Sequence, residues 1–255
     1  MNLHLNMNLV EHYNSESQKI RIVTEKWFLE NMFCPICGKN TINNFNNNRP
    51  VADFYCDSCN NQYELKSKSG RFKKKINDGA YKTMIERITS CENPDLFCLS
   101  YSKQTYNVND LIFIPKYFFT PDIIEKRKPL TDSAKRAGWT GCNILIGNVP
   151  EQGKIKIISN GVMVDKKIIV EQNRKVEKLS TSDISCRSWL LDTLNCMNKI
   201  NKSTFSLSEM YYFEEELSLK HPRNNNIKPK IRQQLQILRD RGFIEFIGKG
   251  EYKKN

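Results

Sequence analysis

Two Cys-x-x-Cys pairs, Cys34-Pro-Ile-Cys37 and Cys56-Asp-Ser-Cys59, constrain this chain more than any other feature. Eighteen residues, 38–55, lie between them. Paired knuckles at that spacing suit four thiolates around one tetrahedral Zn²⁺. Gly38, directly after Cys37, supports a tight turn whose amides point at the sulfurs. The plainer alternatives are disulfides or ordinary thiols. The opening stretch Met1-Asn-Leu-His-Leu-Asn-Met-Asn lacks the basic-then-apolar order of a secretory signal. That favours a reducing, cytoplasmic setting and disfavours disulfides. The expectation is a closed structural zinc ribbon over 34–59. A redox Cys-x-x-Cys accounts for only one of the two pairs. Cys91, Cys98, Cys142, Cys186 and Cys196 show no such pairing, and their apolar neighbours predict core or helix packing.

The second knuckle is bracketed by two short apolar segments that carry charge. A strand alternates its faces with period two. In Val51-Ala52-Asp53-Phe54-Tyr55, Asp53 faces away from Ala52 and Phe54. In Tyr63-Glu64-Leu65-Lys66, Glu64 and Lys66 share a face. If Cys56–Cys59 turns one strand back on the other, Asp53, Glu64 and Lys66 converge. Two carboxylates give the few hard oxygen ligands that Mg²⁺ takes, with water and phosphate completing its octahedron. A neighbouring Lys can orient the attacking water and balance phosphate charge. The spacing Asp-x10-Glu-x-Lys is weak alone, because charged residues make up 27% of the chain. The plainer alternative is an exposed hairpin face. Apolar strands, a zinc knuckle and a basic chain around the same residues favour the catalytic alternative.

Formal net charge is +12 over 255 residues. Such a balance suits a polyanion partner whose phosphates meet Lys and Arg. No basic amphipathic membrane helix and no apolar run of spanning length is present, so a nucleic acid is favoured over a membrane. The length allows one large domain, or a medium and a small one.

Residues 14–30 read as a helix capped by Ser15 or Ser17, with Ile20, Val23 and Trp27 on one stripe. Its polar face, Gln18, Arg21 and Glu25, is expected near the catalytic strands. A basic loop follows the second strand, from Lys66 to Lys75. Asn77 or Asp78 is expected to cap a helix running to about residue 90. The apolar runs Leu96–Tyr101 and Asp110–Ile114 read as buried strands, so the order strand–helix–strand predicts a mixed α/β (α+β) sheet. Thr120-Pro121 opens a short helix. Residues 126–141 form a second basic loop that holds Arg136 and, between glycines, Trp139. This aromatic is either folded back on the core or presented to DNA. Strands are expected at 142–147, 154–158 and 162–170, with a hairpin turn at Ser159-Asn160-Gly161. An irregular linker is expected over 171–182.

The C-terminal third reads as helices over 185–200, 206–218 with a Ser206–Glu209 capping box, and from Lys228 onward, then a hairpin turning at Lys249. Three helices and a terminal hairpin make a winged helix, whose third helix enters the major groove. Ile231, Leu235 and Leu238 form its inner stripe, while Lys230, Arg232, Gln233, Gln236 and Arg239 face out. Arg suits guanine edges and Gln suits adenine edges. His4, His12 and His221 are isolated.

Beyond these separate features, the chain resembles the PD-(D/E)xK nuclease superfamily, with Asp53, Glu64 and Lys66 in the motif positions. Within it, the chain is similar to the DpnI-like methyl-directed type II (IIM) restriction endonucleases. The similarity is carried by Asn48-Arg-Pro-Val-Ala-Asp-Phe-Tyr-Cys56, Glu64-Leu-Lys-Ser-Lys68 and Ile76-Asn-Asp-Gly-Ala-Tyr81. It continues through Arg136-Ala-Gly-Trp139, Gly141-Cys-Asn-Ile144 and Lys230-Ile-Arg-Gln-Gln-Leu-Gln-Ile-Leu-Arg-Asp240. One departure is that Pro50 stands three residues before Asp53 rather than next to it.

The resemblance implies a nuclease domain over 1–182 with the zinc ribbon inserted, and a winged-helix DNA-binding domain over 183–255. It implies Mg²⁺ held by Asp53, Glu64 and the Leu65 carbonyl, with Lys66 orienting the attacking water. Hydrolysis is expected to leave a 5′ phosphate. The implied substrate is double-stranded DNA carrying N6-methyladenine in Gly-Ade-Thr-Cyt sites, cut by a chain that is a monomer in isolation. The added methyl needs an apolar surface, for which Trp139 or atoms beside the third helix are candidates. Two rivals stand beside it: a non-catalytic zinc-ribbon and winged-helix regulator, and a structure-specific repair nuclease.

Overall fold

The computed structural model describes residues 2–45 and 52–255. Pro50 and Val51, part of the expected motif and strand, lie outside the described residues. The first long element is helix α1, Glu16–Asn31. It buries Val23, Thr24, Trp27 and Phe28, the i, i+1, i+4, i+5 stripe that a 3.6-residue repeat puts on one side. Ser15 stands at its N-cap position, although its side chain makes no capping bond.

Strands β1 (Ile42–Asn44) and β2 (Phe54–Cys56) follow, and β2 turns at the second knuckle into β3 (Gln62–Ser69). The β2–β3 pairing is antiparallel with Phe54 opposite Tyr63, as a knuckle turn requires. The strand holding Asp53 is shorter than expected, because Asp53 sits at a bend just ahead of β2.

Residues 77–90 differ from the expectation. Ile76–Ala80 is strand β4, and helix α2 is only Tyr81–Thr89. Ala80 occupies the N-cap position, without a side-chain capping bond. Asn77 and Asp78 are drawn into a sheet instead, where β4 pairs with a later strand. Here tertiary pairing overrides a local capping preference.

The apolar runs do form buried strands, β5 (Asp95–Tyr101) and β6 (Val108–Ile114). Every residue of β5 is buried. Pro121–Ile123 is a single 3-10 turn behind Thr120, followed by β7 (Ile124–Lys126) and β8 (Gly141–Ile144). Strand β9 (Ile155–Ser159) turns through Asn160 and Gly161, both at positive φ, into β10 (Val162–Met163). The strand expected to reach residue 170 stops there. Asp165 caps helix α3, Lys166–Glu177, by accepting from the Lys167 amide. Ile169, Asn173 and Val176 recur at i, i+4 and i+7 and are buried. The irregular linker is therefore confined to the residues after 177.

Seven strands form one sheet in the order β1-β2-β3-β5-β6-β9-β10. The β3–β5 pair is parallel, and the other pairs are antiparallel. A parallel pair needs a crossover, and β4 with α2 supplies it. The crossover brings β4 into a second sheet, β4-β8-β7. The architecture is mixed α/β.

The C-terminal third contains α4 (Ile184–Lys199), β11 (Thr204–Ser206), α5 (Leu207–Tyr211), α6 (Glu214–Lys220) and α7 (Ile227–Asp240). Strands β12 (Ile244–Gly248) and β13 (Glu251–Lys254) close it. The capping box is present: Ser206 Oγ accepts from the Glu209 amide, and Glu209 accepts from the Ser206 amide. The helix it opens breaks at Tyr212 and Phe213 into α5 and α6, instead of running to 218. Three strands pair as β11-β13-β12.

This third packs on the rest through polar bonds. Arg187, 3% exposed, donates to the carbonyls of Phe119 and Thr181. Gln152 and Asn198 exchange side-chain hydrogen bonds at 3.0 and 2.9 Å. Among the described residues, no helix is long and apolar enough to cross a membrane. Cys98, Cys142 and Cys196 are buried as expected, whereas Cys186, in the first turn of α4, is exposed.

Candidate active site and nucleic-acid interface

The knuckles bring four cysteines together. Their sulfurs all lie within 4.8 Å of one another. Cys34 and Cys59 are 3.6 Å apart, and Cys37 and Cys56 are 3.7 Å apart. Sulfurs at ~2.3 Å from a tetrahedral zinc stand about 3.8 Å from each other. Donor chemistry and spacing both fit structural zinc. Burial works to raise the Cys56 thiol, but hydrogen bonds from Thr41 and the amides of Ser58 and Cys59 win and bring it to about 7. Burial pushes Cys59 up to about 11 and Cys34 higher still. Zinc binding must therefore displace protons from the more deeply buried sulfurs. The Tyr63 hydroxyl lies 2.9 Å from Cys34 Sγ, in donating range of a thiolate. Tyr63 immediately precedes Glu64, so this contact ties the cysteine cluster to the acidic strand.

That strand is built to open beside the cluster. The β2–β3 ladder covers only Phe54–Tyr63 and Tyr55–Gln62, with one more bond from the Asp53 amide to the Tyr63 carbonyl. Beyond it β2 bends away. The Asp53 side chain takes over, its Oδ2 accepting from the Leu65 amide at 2.9 Å. A carboxylate thus replaces the next ladder partner and is fixed against β3. Glu64 and Lys66 project from the same face of β3, as period two requires, and their charged ends meet at 2.6 Å. Burial raises the Glu64 carboxyl to about 7, against the pull of Lys66 and with Asp78 and Asp53 adding to the rise. Burial opposes the Lys66 charge, yet Glu64 and Asp78 outweigh it and hold the ammonium more firmly than usual. Arg21 of α1 feels Asp53 electrostatically while bonding Glu25 at 2.6 Å. A cleft of about 410 Å³, lined by Ser17, Arg21, Ser67 and Tyr101 among others, runs between α1 and β3.

Asp53, Glu64, Leu65 and Lys66 are therefore brought together. Among the described residues, the four cysteines are the only group of three or more metal-ligating side chains that meet. Asp53 and Glu64 supply two carboxylates, which is the number that Mg²⁺ needs from a protein when phosphate and water do the rest. The donor set fits a hard dication.

Sequence reasoning missed Asp78. Its Oδ1 lies 2.6 Å from Lys66 Nζ. The run Ile76-Asn-Asp-Gly-Ala80 carries a faint strand signal, since buried Ile76 alternates with exposed Asn77. That signal does not name Lys66 as the partner, because twelve residues and a change of sheet separate the two.

The basic loops have mixed fates. In the first, Arg71 bonds Asn160 and approaches Asp110, and Lys75 pairs with Glu125 at 3.0 Å. Trp139 is half-buried, neither fully folded away nor free. Its ring lies over Gly141 so closely that a Cβ there would stand 2.9 Å from Cη2. Arg136 covers it, with the guanidinium carbon 4.5 Å from the ring centre. Gly141 precedes Cys142, which pairs with Asp78 across β4 and β8, so Trp139 borders the sheet that carries Asp78.

In the C-terminal third, Ile231, Leu235 and Leu238 of α7 are buried, and Arg232, Gln233 and Gln236 are exposed. Among the described residues, none makes a hydrogen bond or ion pair with these three side chains. Lys230 is half-buried, 5.9 Å from the Trp189 ring centre. It lines a cleft of about 550 Å³ with Lys220, His221 and Arg223. His221 is no isolated residue: it stacks on Trp189 at 3.8 Å and bonds Asp192 at 2.9 Å. Lys249, exposed at positive φ, tips the β12–β13 hairpin.

Two family models match the chain. Residues 1–182 match the family model described as DpnI, the Dam-replacing family. Residues 185–254 match the model described as the Dam-replacing HTH domain.

Proposed function

The chain belongs to the DpnI, Dam-replacing family, whose members are methyl-directed restriction enzymes, and from that premise we propose a Mg²⁺-dependent type II endonuclease of the PD-(D/E)xK kind. The observation that carries the proposal is the buried meeting of Lys66 with Glu64 at 2.6 Å, beside an Asp53 carboxylate fixed at the Leu65 amide. Asp53 and Glu64, with the Leu65 carbonyl, hold the cation. Held there, Mg²⁺ would supply positive charge for the phosphoryl oxygens and would favour ionisation of the attacking water. Lys66 orients the attacking water by hydrogen bonding and balances charge as the phosphorus becomes crowded with oxygens. Displacement of the 3′ oxygen leaves a 5′ phosphate.

Residues 1–182 act as the cutting module and 183–255 as the reader. Helix α7 lies in the major groove with Arg232, Gln233 and Gln236 toward base edges and Lys230 toward the backbone. Lys249 reaches a phosphate from the wing, and Arg136 does so from the loop that carries Trp139. The substrate is duplex DNA methylated on adenine N6 in Gly-Ade-Thr-Cyt sites. The methylated amine keeps one hydrogen-bond donor, so the methyl itself must be read by apolar atoms, and the half-buried ring of Trp139 offers them. The enzyme works as a cytoplasmic monomer until it meets DNA.

One assay tests the reading: a single plasmid, adenine-methylated or unmethylated at Gly-Ade-Thr-Cyt, with Mg²⁺ or EDTA, and wild type against Lys66→Ala. The expected result is Mg²⁺-dependent cutting of the methylated form alone, lost in the variant. Cutting of both forms would remove the methyl-directed reading. DNA binding without cutting would favour a regulator.

A further inference from the structure

We propose that Asp78 is a positioning residue for cleavage: its carboxylate keeps the Lys66 ammonium at the reacting phosphate once Glu64 turns to the metal. The inference rests on the catalytic reading above and deepens it. Lys66 Nζ is bracketed by two carboxylates, Glu64 Oε1 and Asp78 Oδ1, each at 2.6 Å. They come from different sheets. Glu64 shares β3 with Lys66, whereas Asp78 arrives on β4, which pairs with β8.

The backbone aims Asp78 deliberately. The β4–β8 register shifts between Asp78 and Ala80, and such bulges re-aim a side chain. The Gly79 amide at the bulge donates to Asp78 Oδ1 at 2.7 Å, so the same oxygen that holds Lys66 is anchored by its own backbone. The Asp78 side chain is only 5% exposed, deeper than Lys66 at 24%. Among the described residues, its Oδ2 is buried without a hydrogen-bond partner, which is unfavourable for a carboxylate oxygen.

Charge balance gives the reason. Asp53, Glu64 and Asp78 carry three negative charges when ionised, and Lys66 carries one positive. The remaining two negative charges match one divalent cation. A Glu64 that ligates the cation gives up its share of the ammonium. Lys66 has a flexible four-carbon stem and three donors with no fixed geometry. With Asp78 as its tether, it stays in place through that exchange.

The test uses single-turnover cleavage of a methylated Gly-Ade-Thr-Cyt duplex by the full chain. The variants are Asp78→Ala, Asp78→Asn, Asp78→Glu, Lys66→Ala and the double Asp78→Ala/Lys66→Ala. A misplaced catalytic group costs on the order of 100-fold in rate, and Asp78→Ala is expected to lose about that much. Duplex affinity in EDTA and the Mg²⁺ concentration for half-maximal rate should each stay within about twofold, and Asp78→Glu should recover part of the rate. If Asp78 acts through Lys66, adding Asp78→Ala to Lys66→Ala should cost less than about threefold. An unchanged rate would overturn the proposal. So would a loss cured by excess Mg²⁺, which makes Asp78 a metal ligand, or a full further loss on the Lys66→Ala background. Asp78→Asn keeps the shape, so it carries the test if the alanine variant melts early. Wild type that cuts while Asp78 proves inert removes this proposal alone, whereas wild type that does not cut removes the catalytic reading with it.

Discussion

The proposed catalytic cluster and the proposed reader helix solve opposite problems with similar residues. In the cluster, each charged group is engaged within the chain. Asp53 bonds the Leu65 amide, and Lys66 bonds both Glu64 and Asp78. On α7, the side chains of Arg232, Gln233 and Gln236 stand exposed, with no hydrogen bond to the described residues. The difference matches what the proposed roles would require. Chemistry depends on groups held in place before the substrate arrives. Recognition depends on donors and acceptors left free for base edges. Each substitution below asks whether that division holds.

Zinc removal should have the largest effect, because it strikes the scaffold under the engaged region. Structural zinc contributes roughly 10–16 kcal/mol of binding free energy in zinc-finger peptides at neutral pH. Stripping it with a chelator, or replacing Cys34 and Cys37 by Ser, should unfold residues 34–66 and release one equivalent of zinc, read by a colorimetric dye. Cleavage should vanish, while the C-terminal helices keep their far-ultraviolet circular dichroism. Loss of both regions together would show one cooperative unit and break the comparison. Lys66→Ala comes next. Removing a positioned proton-handling or charge-balancing group costs about 10²–10⁴ in rate, and single-turnover kinetics should show that loss with duplex affinity little changed.

Sequence patterns were legible in these two regions to different degrees. Four cysteines at knuckle spacing fold onto one another because the ligands lie in two short local pairs. Glu64 and Lys66 could be placed on one face from period two, and Asp53 beside them once the knuckle turns β2 onto β3, although Asp53 itself sits at a bend ahead of β2. Asp78 could not. Its importance comes from Lys66 on another sheet, and locally Asn77-Asp78 looks like a helix cap. The same shortfall moved α3: Val162–Val170 is rich in β-branched residues, yet Asp165 caps a helix whose stripe closes on the core. On α7 the apolar repeat of Ile231, Leu235 and Leu238 fixed the inner face and hence the outer one. The fate of Lys230 was hidden because Trp189 lies far from it in sequence.

Arg187 tests the seam between the two regions. It is nearly buried and donates to the carbonyls of Phe119 and Thr181. Replacing it by Ala strands those acceptors and leaves a void, with an expected loss of about 2–4 kcal/mol. Chemical denaturation should show the loss, and a second transition should appear if the regions come apart. On the reader, Arg232→Ala and Gln236→Ala should each cost about 1–3 kcal/mol in binding to the cognate duplex. Neither change should alter the melting temperature by more than a degree or so, since neither side chain makes a hydrogen bond or ion pair among the described residues. A clear drop in stability would mean that the reader is held as tightly as the cluster.

The wing gives the smallest and most discriminating effect. Lys249 adopts φ 52° between Gly248 and Gly250, a left-handed position that costs a side-chain-bearing residue about 1–2 kcal/mol. Lys249→Gly removes both the strain and the charge. Glycine's extra chain entropy, roughly 0.5–1 kcal/mol, offsets about half of the relief, so folding stability should hold or rise slightly. Each phosphate neutralised contributes about 0.9 to the slope of log affinity against log salt. That slope should therefore fall by about one unit on cognate and non-cognate duplexes alike, because a phosphate contact is blind to sequence. A loss confined to the methylated cognate site would move Lys249 from the backbone to a base edge, and with it the wing from a handhold to part of the reading surface.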